Sequence, residues 1–135
     1  MSKSTGLQDI FAYVDERRDD YIEILRRFCR QPSVSAQDLG VDEAAEMVAS
    51  EMRRVGASVR LIPTAGKPVV FAVFQGRGER TLSFYNHYDV QPPEPLELWE
   101  SPPFTAEVRD GCLYARGAAD NKGNLVARIA AVEAF

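Results

Sequence analysis

The chain has 135 residues, 45% of them apolar and 27% charged, which is the composition of about one globular domain and excludes a disordered chain. Sixteen Lys and Arg against twenty Asp and Glu leave a net charge of −4, which argues against a nucleic-acid partner, since that would select a basic patch. No window approaches the roughly 18 apolar residues of a membrane span. Met1 to Thr5 is short and polar and runs into an amphipathic pattern, so it does not read as a signal peptide and a cytoplasmic location is expected. The two cysteines, Cys29 and Cys112, are too few for a disulfide scaffold and are expected to be buried thiols.

Residues 7 to 30 are predicted as one long helix, because Ile10, Val14, Tyr21, Leu25 and Phe28 recur on one helical face. The charged run Asp15 to Asp20 should face water, and Gln31-Pro32 should end the helix. A second helix is predicted from Val41 to Val55, with Val41, Ala44, Ala45, Val48, Met52 and Val55 as its apolar stripe and Gly56 as a left-handed C-cap. Strands are predicted at 57–62, 68–74 and 81–85. The nearly continuous apolar run Pro68 to Phe74 reads as a strand buried on both faces. Gly76 and Gly78 do not form a dinucleotide fingerprint, because the third glycine is missing and a strand rather than a helix follows.

From Asn86 to Phe104 the prolines and Trp99 indicate an ordered loop packed on the body. Residues 105–115 are predicted as a hairpin around Asp110-Gly111, a type I′ turn signal. Arg116 to Gly123 reads as a loop of small and polar residues. A third helix opens at Lys122 or Gly123, with Leu125, Val126, Ile129, Ala130 and Val132 apolar. This order of elements is the opening of a larger α/β domain.

His87 is the single histidine, so a metal site here needs carboxylates or residues from elsewhere. In extended chain, residues two apart share a side, so Asp89 can orient the His87 imidazole as carboxylates do behind metal-bound histidines. On spacing alone His-x-Asp is a weak pattern, and a surface histidine beside a loop aspartate is the plainer reading. Asp120 stands among small residues that permit close approach, yet an aspartate just before a helix is also an ordinary N-cap. Both positions follow strands, where ligands gather in open α/β sheets. A P-loop, a Gly-x-Ser-x-Gly elbow and a Cys–His nucleophile find no support.

Three runs in order carry a family resemblance: Tyr85 to Pro92, Leu98 to Phe104, and Asp110 to Gly123. Together they resemble the M20 family of zinc metallopeptidases. The Asp-Val-Gln-Pro and Trp-Glu-Ser-Pro-Pro-Phe runs are most similar to its carnosinase-like dipeptidase branch, and deacylases of N-acyl amino acids belong to the same family.

The resemblance implies an α/β fold: a three-layer zinc-peptidase-like catalytic domain with a mixed sheet, incomplete at the C-terminus, of which residues 1–135 are the N-terminal part. It implies that His87 and Asp120 are metal ligands, Asp120 bridging two Zn2+ ions about 3.5–4 Å apart, with Asp89 as the catalytic carboxylate behind His87. It also implies a cis peptide between Asp120 and Asn121. Imidazole and carboxylate ligands accept Co2+ or Mn2+ as well. The implied substrates are dipeptides or N-acyl amino acids, with no nucleic-acid or membrane partner and a homodimer for the intact enzyme.

Family members are several times longer. They supply further on a Glu-Glu pair, another acidic ligand, a second histidine and a lid domain. The expectation is therefore a fragment, inactive alone. Its rival is a non-catalytic α/β fragment or relic that acts through a complementing chain.

Overall fold

The computed structural model describes residues 6–135. The predicted first helix is two helices, α1 (Leu7–Glu16) and α2 (Arg18–Arg30), broken at Arg17, whose φ is −104° and ψ 12°. The break falls inside the charged run. No apolar anchor holds that segment straight, and the Arg17 side chain stacks on Tyr13 and reaches Glu133 at 3.7 Å. The expected inward positions hold: Ile10, Tyr21 and Phe28 are buried. Helix α3 (Val41–Arg54) buries Val41, Ala44, Ala45 and Val48, the predicted stripe, and Gly56 ends it at φ 96°.

Strands β1 (Ser58–Ile62) and β2 (Val69–Val73) pair antiparallel, with Arg60 opposite Phe71. The expectation that residues 68–74 are buried on both faces is overturned. Val69, Phe71 and Val73 are exposed, because α3 covers only one face of this ribbon. The predicted strand at 81–85 does not form either. A strand needs a partner for its backbone groups. Among the described residues none runs beside this segment, and Leu82 and Tyr85 stand 77% and 85% exposed.

The proline-rich loop is ordered as expected; the Trp99 indole N–H donates to the Pro93 carbonyl at 2.7 Å. The predicted hairpin is present as β3 (Glu107–Arg109) and β4 (Cys112–Tyr114), antiparallel. Asp110 and Gly111 turn it with φ of 50° and 77°, the two positive values a type I′ turn requires. Cys112 lies exposed on β4, contrary to the burial expected of it. The strand belongs to a two-stranded ribbon, so its outward side chains meet water. A π turn (Ala118–Lys122) leads into α4 (Gly123–Ala134).

The α/β class holds. Of the expected mixed sheet, the described residues contain two antiparallel ribbons and a parallel bridge between Val34 and Val90. The core is a contact between α2, α3 and α4: Phe28, Val48, Leu125, Val126 and Ile129 are buried together, with Val70 of β2 and Tyr88 against them. No helix among the described residues is long and apolar enough to cross a membrane.

Beside this core, Glu133 of α4 binds Arg54 of α3 through both carboxylate oxygens, at 2.7 and 2.8 Å. The hydrogen bond from Arg54 holds the Glu133 carboxyl below its ordinary range, against the opposing effect of burial. A depressed folded-state pKa contributes stability that is present above the ordinary glutamate value of 4.5 and is lost as pH falls through the folded value. The urea midpoint is therefore expected to fall as pH drops below about 4.5, and less steeply in Glu133→Gln. Parallel acid profiles for the two proteins would contradict this.

The thiols give a second prediction. Burial pushes Cys29 up to about 11, whereas Cys112 is exposed. A thiol reagent at neutral pH should label Cys112 at the rate of a free thiol and leave Cys29 unlabelled until the chain is unfolded. Labelling of both at one rate would contradict it.

Candidate functional site

The three residues singled out in the sequence meet at one place. The His87 Nε2 lies 3.0 Å from Asp120 Oδ1, and its Nδ1 lies 3.0 Å from the Asp89 carbonyl and 3.3 Å from the Asp89 carboxylate. The ring is thus held between two aspartates 31 positions apart in the chain. Burial works against protonation of His87, but the Asp89 carbonyl and the Asp120 and Asp89 carboxylates outweigh it, and its pKa stands above the ordinary value. The Asp120 side chain is 83% exposed, so its carboxylate retains open coordination space.

Several elements fix this geometry. Residues 33–35 run beside residues 88–90: the Val90 amide donates to the Ser33 carbonyl at 2.8 Å and the Ser33 hydroxyl to the Tyr88 carbonyl at 2.8 Å. The Ser35 hydroxyl donates to Asp89 Oδ2 at 2.7 Å, which orients the carboxylate behind His87. From α4, Arg128 donates to the Tyr85 carbonyl at 2.6 Å and to the Asn86 side chain, tethering the chain just before His87.

Asp120 is no N-cap. It sits within the π turn at φ −134° and ψ 96°, its side chain turned to His87, and the following peptide to Asn121 is cis. Two glycines allow this turn. A Cβ on Gly117, whose φ is 91°, would meet Val90 Cγ1 at 2.7 Å, and one on Gly123 would meet the Ala118 carbonyl oxygen at 2.2 Å.

Lys122 anchors the turn from below. It is 1% exposed, and its ammonium donates to the carbonyls of Phe28 at 3.0 Å and Gln31 at 2.7 Å, at the end of α2. Burial lowers its pKa to about 8, so it remains largely charged at neutral pH.

His87, Asp89 and Asp120 line one open cavity of about 430 Å³ together with Tyr85, Gln91 and Arg116. As a cation site the donor set is apt but small. An imidazole nitrogen and a carboxylate oxygen converge, with a second carboxylate behind the ring, which is the chemistry of a divalent-metal site. Among the described residues no group of three or more His, Cys, Asp or Glu converges. The sequence reading named His87, Asp89 and Asp120. It did not name Ser35, Arg116, Lys122 or Arg128, whose parts depend on contacts distant in the chain. The one local signal was the cation Arg116 set between a strand and Gly117.

Residues 83–135 match the family model described as peptidase family M20/M25/M40. The structure resembles an M20 family metallo-carboxypeptidase, Sso-CP2, from Sulfolobus solfataricus, with a TM-score of 0.82 and 40% identity over 84% of this chain and 26% of that one. It resembles human carnosine dipeptidase 1 with a TM-score of 0.86 and 30% identity, over 96% of this chain and 31% of that one. The dipeptidase Dug1p of Saccharomyces cerevisiae, at 23% identity, shares the fold with a TM-score of 0.86, over 98% of this chain and 31% of that one. The chain is related to the M20 peptidases, and it spans between a quarter and a third of the length of these solved relatives.

The Lys122 anchor is testable. Lys122→Met keeps most of the buried volume but leaves two carbonyls without their charged donor. It should lower the unfolding free energy by about 2–3 kcal/mol in urea titrations. A loss below about 0.5 kcal/mol would show that water replaces the ammonium at no cost.

Proposed function

We propose that this M20-related chain is the N-terminal part of a metal-dependent hydrolase that cleaves the amide bond of dipeptides or N-acyl amino acids with two cocatalytic Zn2+ ions. The observation that carries the reading is the convergence of His87 Nε2 and Asp120 Oδ1, with Asp89 behind the ring, in a cavity large enough for a dipeptide. His87 and Asp120 would hold the metal. When bound, a divalent ion polarises the scissile carbonyl and makes a water acidic enough to attack it.

The chain's own residues prepare that chemistry. Donation from His87 Nδ1–H to Asp89 fixes the tautomer and leaves the Nε2 lone pair for a cation. The Ser35 hydroxyl in turn fixes Asp89. Within the cavity lining the carboxylates are Asp89 and Asp120, so the general base and the remaining ligands are assigned to polypeptide beyond these residues. Dipeptides are preferred over other amides because the resemblance in the loop from Val90 to Phe104 is to the dipeptidase branch, and two dipeptidases are among the structural neighbours.

The apolar side chains exposed at Val69, Phe71, Leu82 and Phe84 favour a second, compatible reading, in which the chain acts only when associated with a complementing polypeptide.

Calorimetric titration of the 135-residue chain with Zn2+ and assay on a dipeptide panel test both. The expected result is weak zinc binding, abolished in His87→Ala, with turnover only after the remaining catalytic segment of an M20 enzyme is supplied. Tight binding of two zinc ions and His87-dependent turnover by the chain alone would overturn the assignment of the missing ligands and base. Zinc binding indifferent to His87→Ala and to Asp120→Ala would overturn the hydrolase reading itself.

A further inference from the structure

Arg116 is the one lysine or arginine in the lining of the cavity that holds His87 and Asp120. Its Nε is buried and has no hydrogen-bond partner among the described residues. It enters none of the ion pairs that engage Arg17, Arg27, Arg54 and Arg109. Its guanidinium instead lies over the Trp99 ring, 5.3 Å from the centroid. Trp99 is itself pinned by its indole N–H to Pro93, and the Arg116 amide is pinned to the Pro103 carbonyl at 2.7 Å.

An arginine held in this way is a built donor. Stacking on an aromatic face fixes the plane of the guanidinium and removes part of the rotamer freedom that binding would otherwise have to overcome. A buried N–H left without an acceptor is unfavourable, so an acceptor brought by a ligand regains that free energy. The fork of N–H groups matches a planar carboxylate through two parallel hydrogen bonds. Asp89 and Asp120 repel an anion from their own oxygens, which leaves the guanidinium as the place where the anionic end of a ligand can settle.

We propose that Arg116 is a specificity residue that receives the carboxylate of the ligand occupying this cavity. Identifying that ligand as a dipeptide or N-acyl amino acid rests on the hydrolase reading above; the carboxylate site itself does not. Its consequence for the reaction is orientation: with the carboxylate held at Arg116, the neighbouring amide is presented toward His87 and Asp120, and substrates lacking a free carboxylate are discriminated against.

Trp99 is the only tryptophan in the chain, so its emission reports on the group stacked against it. The 135-residue chain is titrated with N-acetylglycine and with its neutral amide, first without metal and then with Zn2+. The expected result is a saturable change in Trp99 emission with the acid and an apparent affinity about tenfold weaker with the amide, as befits loss of one charge-assisted pair. Arg116→Met should remove the difference between acid and amide, and Arg116→Lys should retain only part of it because the fork is gone. Since Arg116→Met also removes packing against Trp99, the Arg116 Nε–H resonance of the unsubstituted protein provides an independent reading. It should shift on addition of the acid and stay in place on addition of the amide. Equal responses to acid and amide, or an Nε–H resonance that the acid does not move, would overturn the proposal. Zinc binding with no discrimination between acid and amide sinks the Arg116 assignment alone. Discrimination without any zinc binding sinks the hydrolase reading alone.

Discussion

A single buried ammonium joins the two halves of this chain. Lys122 carries its charge to the last carbonyls of α2, where the helix leaves acceptors unsatisfied and where its dipole is negative. Burial makes that charge unfavourable in itself, as the lowered pKa records, and the two carbonyls compensate. The result is a fixed distance between the end of α2 and the start of α4. Everything that shapes the site is built across this gap: the close seat of Gly117 against Val90, the turn that carries Asp120, and the entry into α4 at Gly123.

On that base the site is assembled from three separate stretches of chain. Residues 33–35 brace residues 88–90, Arg128 of α4 tethers the segment before His87, and the turn at 118–122 brings Asp120 to the imidazole. Each contact is a hydrogen bond to backbone or carboxylate rather than apolar packing. Such bonds fix direction, and an imidazole flanked by two aspartates needs direction more than it needs burial. The same loop system sets Trp99 beneath Arg116, so the histidine, the aspartates and the arginine share one scaffold.

The opposite side of the molecule is organised by different physics. Glu51 and Glu133 are withdrawn from water and are held by Arg27 and Arg54, which closes the helical layer with charge pairs. The β1–β2 ribbon is covered by α3 on one face only, and the segment 81–85 stays extended without a partner. The apolar residues left exposed there are those the sequence pattern marks as strand residues, so local preference and burial disagree in this chain at the place where a wider sheet would continue.

Local chemistry alone determined much of this protein. The apolar stripe of α3, the C-cap at Gly56, the Asp110-Gly111 turn and the start of α4 follow from periodicity and from residues that tolerate positive φ, and the structure has them where the sequence indicates. His87, Asp89 and Asp120 were legible because histidine and aspartate in short motifs carry chemistry that few other residues can replace. What needed the tertiary structure was every feature that depends on a partner distant in the chain. The charged run at 15–20 holds no record of the break at Arg17, since Glu133 helps to set it. Nor could the run at 81–85 state that no strand pairs with it, or Cys112 that its ribbon has an open face. The anchoring role of Lys122 and the unpaired Nε of Arg116 belong to the same class: a side chain's charge is written in the sequence, but which acceptors it finds is decided only when the chain has folded around it.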